Sequence, residues 1–232
     1  MIADIAHELR NPLATLQLRI DALSDGLVHF SADEAELLQG QVALLARLIG
    51  DLRTLSLADA GRLTLNRLEL DLNDLAANVV RQAQHGAAKV NAALLLRPAD
   101  EPALVSADEG RLTQVLNNLL SNALRVTPPG GTVEVRLTTT PTVVSLQVRD
   151  TGPGIPEDEL SRVFERFVQG RRRDTGDTGS GLGLAIVQSL VSLHGGRVRA
   201  GNYSDDDGNN DGDEGRTGAL LEVSLPRIAK SS

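Results

Sequence analysis

The chain has 232 residues, of which 41% are hydrophobic, enough for one large or two modest domains with apolar cores. Only 2% of the residues are aromatic and the net charge is −8. The composition therefore argues against nucleic-acid binding, which calls for a basic surface and stacking side chains. There is no cysteine, which excludes disulfides and thiolate zinc sites. No apolar run approaches the roughly 18 to 20 residues of a membrane span.

The first 60 residues predict a helical hairpin. Apolar residues recur at gaps of three and four from Ile2 to Leu27, and a second such pattern follows a turn over residues 24–31. Pro12 removes a backbone donor, which predicts a kink near His7. Because two helices cannot enclose so wide an apolar surface, we expect two chains to form a homodimeric four-helix bundle.

His7 is expected to point into solvent from the first helix. It lies about 200° around the helix from Ile5 and from Leu9, on the face that also carries Asn11, and Glu8 flanks it. Taken alone, this arrangement is that of a surface histidine beside a carboxylate. No His or carboxylate lies four residues away, so the spacing does not indicate a metal site.

Asp150 stands at the junction of a predicted strand and a glycine-containing turn. Apolar and polar residues alternate from Val143 to Arg149, the pattern of a half-buried strand. We expect Asp150 to be an exposed carboxylate at the end of that strand. Gly152 and Gly154 permit a close backbone approach to a ligand, so the turn is interpreted as part of a nucleotide pocket.

A second glycine-rich stretch follows about 25 residues later. Gly179, Gly181 and Gly183 lead directly into an apolar helical pattern. Backbone N–H groups converging at a helix start form a site for phosphate. The sequence contains neither a GxxxxGK[ST] loop nor the HRD and DFG signatures of protein kinases, so a bound ATP would occupy a site of another type.

Five motifs, in order, resemble those of the sensor histidine kinases, and the resemblance covers almost the whole chain. They are Ile2–Leu13 for the H box, Gln114–Ala123 for the N box, Asp150–Pro156 for the G1 box, Phe164–Phe167 for the F box and Gly179–Leu184 for the G2 box. The resemblance implies autophosphorylation of His7 from Mg·ATP, followed by transfer to an aspartate on the receiver domain of a response regulator. It also implies that Glu8 orients the ring or accepts its proton, and that Asn11 positions water in a phosphatase reaction.

The resemblance also implies a set of nucleotide-binding residues. They are Asn118, Asn122, Arg125, Asp150, Gly152, Gly154, Ile155, Phe167, Gly179, Gly181, Leu182 and Gly183. Asn122, with Asn118, would bind Mg²⁺, and Asp150 would accept a hydrogen bond from the adenine amino group. The helix that carries the N box is expected to begin near Asp108. Two positions depart from the family pattern: Arg125 replaces a usual lysine, and Val126 replaces a common aromatic residue.

The predicted fold class is α+β, with the helical hairpin over residues 1–60 and an α/β sandwich of the ATPase type over residues 61–232. Strands are predicted at Leu63–Leu70, Val90–Arg97, Ala103–Ser106, Thr132–Thr138, Val143–Asp150, Gly196–Ala200 and Leu220–Leu225, with helices on one face of a mostly antiparallel sheet. A lid containing a short helix near Glu157 is expected before Gly179, and one of Arg171 to Arg173 is a candidate phosphate contact. His194, followed by two glycines, predicts a helix end and not a ligand. Residues 202–216 are predicted to be a disordered loop and not a calcium site.

Alternatives remain from the sequence. A non-catalytic ATP-binding dimer module is one, and an ATPase of the Hsp90, gyrase and MutL superfamily is another, although that class would favour a glutamate where Asn118 stands. The sequence does not choose between phosphorylation in cis and in trans. Because only six residues precede His7, we expect either that the sequence is a truncated part of a longer protein or that the upstream helix has been lost. The resemblance implies that the full-length protein is a membrane receptor, with this part in the cytoplasm.

Overall fold

The computed structural model describes residues 2–168, 180–204 and 217–228, and of residues 2–8, 204 and 217 it describes the backbone alone. The chain forms two compact units, Met1–Arg62 and Leu63–Ser232. Most of the predicted disordered loop, residues 205–216, lies outside the described residues. The three candidate phosphate contacts, Arg171 to Arg173, also lie outside them.

The first unit is an antiparallel pair of helices, α1 (Ile2–Ser24) and α2 (Ala32–Asp59). Helix α1 includes Pro12, and the kink near His7 stays a prediction. Ser31 begins α2 because its hydroxyl accepts a hydrogen bond from the Glu34 N–H at 3.2 Å. The Arg19 guanidinium bridges the two helices to the buried Glu34 carboxylate at 3.0 Å.

The second unit is an α/β sandwich, as the sequence predicts. Its elements are β1 (Leu68–Asp71), α3 (Leu72–Lys89), β2 (Ala93–Arg97), β3 (Leu104–Ala107), α4 (Glu109–Val126), β4 (Thr132–Thr139), β5 (Val143–Asp150), α5 (Glu157–Leu160), α6 (Gly183–Leu193), β6 (Arg197–Ser204) and β7 (Thr217–Pro226). The main sheet has the strand order β2-β4-β5-β7-β6, and β1 pairs with β3 in a separate two-stranded sheet. Among the described strands, β2 and β4 form the one parallel pair.

One face of the main sheet forms the core. Side chains along β5 alternate between half-buried and buried, and the buried ones pack beneath helix α4, while α3 packs on β2 and β4 and α6 packs on β6. The period-two pattern of the sequence thus produces one apolar sheet face, and three amphipathic helices cover it. The core consists of aliphatic residues, among them Leu119, Val133 and Ile186, each 0% exposed.

Two strand boundaries differ from the prediction by four residues or more. The strand expected over Leu63–Leu70 begins only at Leu68, because its partner β3 is four residues long and pairs Leu68 with Ala107 and Asp71 with Leu104. Strand β6 continues to Ser204, so residues 202–204 belong to a paired strand and not to a loop. The alternation of Leu63 and Leu65 is locally like a strand, but no described strand pairs with the residues before Leu68.

His194 ends helix α6 and is followed by Gly195 with φ +76°, which confirms the predicted helix end. The ring is 3% exposed. Its Nδ1 lies 2.7 Å from the Leu190 carbonyl oxygen, and its Nε2 accepts a hydrogen bond from the Asp108 N–H at 3.1 Å. Burial lowers the pKa of His194 below its usual 6.5, and the charge of Arg67 acts in the same direction, against the Leu190 hydrogen bond and Asp108.

We expect the free energy of unfolding to decrease as the pH falls below 6.5. The unfolded chain then binds a proton on His194 that the folded chain still excludes, so protons favour unfolding in that window. Thermal unfolding between about pH 7.5 and 5.5 measures the slope. The variant His194→Gln should lose part of this dependence, whereas His85→Gln, at an exposed histidine, should keep it. Equal slopes in both variants would contradict the expectation.

Candidate functional site

Asp150 lies at the carboxyl end of the central strand β5 and is 2% exposed. The expectation of an exposed carboxylate was wrong. Val144, Leu146 and Val148 share the buried face of β5, and Asp150 continues the same period of two. The period of two in the sequence therefore already indicates that Asp150 is buried, although its position at the strand end suggests exposure.

The Asp150 carboxylate is held by backbone donors. Its Oδ1 accepts a hydrogen bond from the Gly152 N–H at 2.9 Å. Burial raises the pKa of Asp150, and hydrogen bonds from the N–H groups of Gly152 and Ala219 act against that rise. Within the described ranges no Lys or Arg forms an ion pair with it. A carboxylate can accept about four hydrogen bonds, so capacity remains for an incoming donor.

The turn after Asp150 packs closely against the end of helix α4. A Cβ on Gly152 would lie 2.6 Å from Asp150 Oδ1 and 3.0 Å from Val126 Cγ2. Only glycine fits there without displacing the carboxylate or the helix end. The turn therefore places the predicted G1 box beside Val126, at the C-terminal end of the N-box helix.

Three residues of β6 and β7 that the sequence analysis missed hold this turn. Asn202 makes two hydrogen bonds of 2.7 Å to the backbone of Ile155, one to its N–H and one to its carbonyl oxygen. The Tyr203 hydroxyl donates to the Asp150 carbonyl oxygen at 3.0 Å. A Cβ on Gly218 would lie 1.7 Å from that same oxygen. The turn is thus supported from the two strands beyond β5.

The variant Asn202→Ala is expected to weaken binding of Mg·AMPPNP about tenfold. It removes two hydrogen bonds that fix Ile155, each worth roughly 0.5–1.5 kcal/mol. Titration calorimetry measures the effect. The matched variant Asn202→Asp keeps the acceptor for the Ile155 N–H but loses the donor to the Ile155 carbonyl oxygen. Its affinity for Mg·AMPPNP should therefore lie between those of the wild type and Asn202→Ala. Equal affinities for all three proteins would show that the turn does not depend on this side chain.

Helix α4 carries the predicted N-box residues. Asp108 caps it by accepting a hydrogen bond from the Arg111 N–H at 3.0 Å, which confirms the predicted start. The Asn118 Nδ2 donates to the Gly183 carbonyl oxygen at 3.3 Å, and the Asn122 Oδ1 accepts from the Arg125 guanidinium at 2.8 Å. Leu112, Leu116 and Leu119 are buried on the opposite side.

No cluster of three or more His, Cys, Asp or Glu side chains suited to a metal ion occurs in the part of the chain that the structure describes. Amide oxygens are the available protein donors on α4. The Asn122 Oδ1 has two lone pairs, so it can accept from Arg125 and also bind a cation. Hard Mg²⁺ prefers such oxygen ligands together with water and phosphate oxygens, and this donor set fits it.

The F and G2 boxes meet through their backbones. The Phe167 N–H donates to the Gly181 carbonyl oxygen at 2.9 Å, and Phe167 itself has φ +62°. A Cβ on Gly181 would lie 2.7 Å from Phe167 Cα. Leu182 is 1% exposed and precedes helix α6, which begins at Gly183. The predicted site residue Gly179 lies outside the described residues.

The structure brings the N, G1, F and G2 boxes together in the second unit. Helix α4 packs against both β5 and α6, Gly154 lies against Asn202, and Asn118 bonds to Gly183. The predicted residues His7, Glu8 and Asn11 lie on α1 in the first unit. The side chains of His7 and Glu8 are outside those described, and Asn11 is exposed.

Two family models match the chain. Residues 107–227 match the family described as histidine kinase-, DNA gyrase B-, and HSP90-like ATPase, and residues 1–61 match the His Kinase A (phospho-acceptor) domain. The chain belongs to the sensor histidine kinases. This family combines the two domains in the order found here, which confirms the resemblance seen in the five motifs.

Several sensor histidine kinases are similar to this chain. The signal transduction histidine-protein kinase BaeS of Escherichia coli K12 is 37% identical over 202 residues, which are 86% of this chain and 43% of BaeS. The solved histidine kinase AdeS of Acinetobacter baumannii has 26% identity and a TM-score of 0.74, over 96% of this chain and 98% of that one. Full-length ShkA, solved in complex with AMPPNP, has 27% identity and a TM-score of 0.69, over 99% and 46%. The chain thus spans less than half the length of BaeS.

No helix among the described residues is long and apolar enough to cross a bilayer.

Proposed function

We propose that this chain is the catalytic core of a sensor histidine kinase that transfers the γ-phosphoryl group of ATP to His7 and then to an aspartate of a response regulator. The observation that supports the proposal is the buried Asp150 carboxylate, which has backbone donors but no ion pair among the described residues and lies in the G1 box beside the end of the N-box helix. A buried carboxylate with spare acceptor capacity selects a ligand that brings a donor.

Asp150 would recognise adenine. The exocyclic amino group of adenine donates a hydrogen bond, whereas guanine carries a carbonyl oxygen at the corresponding ring position. Two acceptors facing each other in a buried site would lose hydration without gaining a bond. The site should therefore prefer ATP to GTP, with Gly152 allowing the base to approach the carboxylate.

The polyphosphate and its cation would lie between α4 and the start of α6. The Asn118 and Asn122 amide oxygens are suited to Mg²⁺ and its bound water, and Arg125, which is exposed, can contact phosphate. The backbone N–H groups from Gly181 to Gly183 begin helix α6, where the helix dipole favours an anion. When bound, Mg²⁺ would neutralise phosphate charge during transfer.

His7 would be the phosphoacceptor. Its neutral ring nitrogen attacks the γ-phosphorus, the bond from that phosphorus to the bridging oxygen breaks, and ADP leaves with the electron pair. Glu8 can accept the proton from the other ring nitrogen or orient the ring. The phosphoryl group then passes to a receiver aspartate. Asn11, one turn further along α1, would position water for hydrolysis of the phosphorylated regulator.

The first unit would act as a homodimer. Six large apolar side chains among the described residues of the helix pair are exposed in the single chain: Leu13 at 56%, Leu18 at 71%, Ile20 at 44%, Leu37 at 48%, Val42 at 55% and Ile49 at 59%. A second copy of the hairpin would bury them in a four-helix bundle.

We propose that the longer protein is attached to the cell membrane by segments outside this chain, which fractionation of cells that express it would test.

The test is incubation with γ-labelled Mg·ATP, followed by acid and alkali treatment of the protein. The expected label is acid-labile and alkali-stable, as a phosphohistidine is, and it should pass to a purified receiver domain. EDTA should prevent labelling, and GTP should not replace ATP. ATP binding without label would favour the non-catalytic alternative, and absence of ATP binding would overturn the proposal.

A further inference from the structure

Residues 63–67, which we call the link segment, connect the first unit to strand β1 and are hydrogen-bonded to both nucleotide-bearing helices. The Asn66 N–H donates to the Asp108 Oδ2 at 2.9 Å, at the start of α4. The Arg67 guanidinium donates to the Leu193 carbonyl oxygen, at the end of α6. The two bonds join consecutive residues of the link segment to two different helices.

Asp108 uses its two carboxylate oxygens for two different purposes. Oδ1 caps α4 through the Arg111 N–H at 3.0 Å, and Oδ2 holds the link segment. Burial raises the pKa of Asp108, but the hydrogen bonds from Asn66 and Arg111 and the charge of Arg111 outweigh burial and hold the pKa below its usual value. The carboxylate is therefore charged at neutral pH and accepts at both oxygens.

His194 completes the connection between the two helices at this end. Its Nε2 accepts from the Asp108 N–H, and its Nδ1 hydrogen is directed at the Leu190 carbonyl oxygen within α6. This requires the neutral ring, since a protonated Nε2 cannot accept. The charged groups facing the ring are Arg67 from the link segment and Asp108 from the start of α4.

The same two helices are joined again by the bond from Asn118, in the middle of α4, to Gly183, at the start of α6. Helices α4 and α6 pack against each other in antiparallel order, so the Asp108–His194 bond lies roughly 16 Å along the 11-residue helix α6 from the proposed phosphate site. Helices transmit displacement as rigid elements. A shift of the link segment should therefore reach Asn118 and Gly183 together.

We propose that Asp108 and His194 are positioning residues that couple the link segment to nucleotide binding through helices α4 and α6. The inference rests on the proposed binding of ATP by the second unit. Coupling between two sites is reciprocal: the factor by which the bound nucleotide stabilises the link contacts equals the factor by which those contacts strengthen nucleotide binding.

The coupling is tested by amide hydrogen exchange and titration calorimetry on the whole chain, with Mg·AMPPNP as the nucleotide so that no phosphorylation intervenes. Saturating Mg·AMPPNP should slow exchange at the Asn66 amide by about five- to tenfold. In Asp108→Asn the amide oxygen can still cap α4, but the amide nitrogen cannot accept from Asn66. This variant should lose the effect at Asn66 and bind Mg·AMPPNP about five- to tenfold more weakly.

Two further variants separate coupling from general stability. Asp71→Asn alters the capping carboxylate of α3, whose Oδ1 accepts from the N–H groups of Asn73 and Ala103, and it should leave both the affinity and the Asn66 response unchanged. Arg67→Ala changes an exposed side chain and should weaken binding about two- to threefold without unfolding the domain. Unchanged affinity in both Asp108→Asn and Arg67→Ala, or an Asn66 amide indifferent to bound nucleotide, would overturn the proposal.

The outcome also separates this proposal from the proposed function. If wild-type protein does not bind Mg·AMPPNP, ATP binding itself fails and with it the coupling. If it binds normally in every variant, the function stands and the coupling alone fails. As an independent check, the Asp108 amide should lose protection, after correction for intrinsic rates, only when the pH falls below the lowered pKa of His194 and the folded ring takes up a proton.

Discussion

Replacing His7 with glutamine is expected to abolish acid-labile labelling from γ-labelled Mg·ATP, a loss of about a thousandfold or more. The side-chain amide of glutamine has no nucleophilic nitrogen, because its lone pair is delocalised into the carbonyl group. Affinity for Mg·AMPPNP should be unchanged, since His7 is not among the residues proposed to bind the nucleotide. The measurement is the initial rate of label incorporation at saturating ATP.

The matched controls are two exposed histidines. His29 lies in the turn between α1 and α2, and His85 lies on α3, and both are exposed. The variants His29→Gln and His85→Gln should be labelled at the wild-type rate. Label that persists in His7→Gln and disappears in either control would assign the phosphoacceptor to another histidine.

Asp150→Asn is expected to reduce affinity for Mg·ATP about a hundredfold or more, or roughly 3 kcal/mol. The variant amide can keep its oxygen on the Gly152 N–H, but its nitrogen would then present a donor to the adenine amino group. A buried pair of donors leaves both groups unsatisfied. Because an amide is nearly the same size as a carboxylate and the native carboxyl is already desolvated, the fold should remain intact.

The preference for the base provides a second measurement. Wild-type protein should bind ATP far more tightly than GTP. Asp150→Asn should reduce the ratio of the GTP dissociation constant to the ATP dissociation constant, and it should also lower the affinity for ATP. The control is Asp71→Asn, which changes the aspartate that caps α3 and should leave both affinities unaltered. A wild-type protein that binds ATP and GTP equally would contradict the role given to Asp150.

Local patterns predicted much of the fold because they report on burial of single elements. The alternation from Val143 to Arg149 identified β5 correctly, since both of its neighbours are long enough to pair along its whole length. Asp108 was recognisable as a helix cap because capping depends on residues within one turn. The first part of Leu63–Leu70 was predicted wrongly because a strand also needs a partner, and β3 ends after four residues.

The candidate site was predictable only where a motif is contiguous. Asn202 meets Ile155 across a separation of 47 residues, and Gly218 meets Asp150 only because β7 pairs with β5. No local pattern indicates either contact. A glycine at position 218 is indistinguishable in sequence from the glycines nearby, and its necessity becomes evident only when the Asp150 carbonyl oxygen is found where a Cβ would lie.

The central position of β5 has a consequence for how the protein loses activity on heating. Asp150 is the last residue of β5, which is hydrogen-bonded to β4 on one side and to β7 on the other. Opening this part of the sheet requires both ladders to separate, so it belongs to the last region to open. The base-binding end should therefore survive fraying at the edge strands, and release of a fluorescent adenine nucleotide should coincide with cooperative melting of the second unit. The fraction of nucleotide that remains bound would then report the folded fraction of that unit.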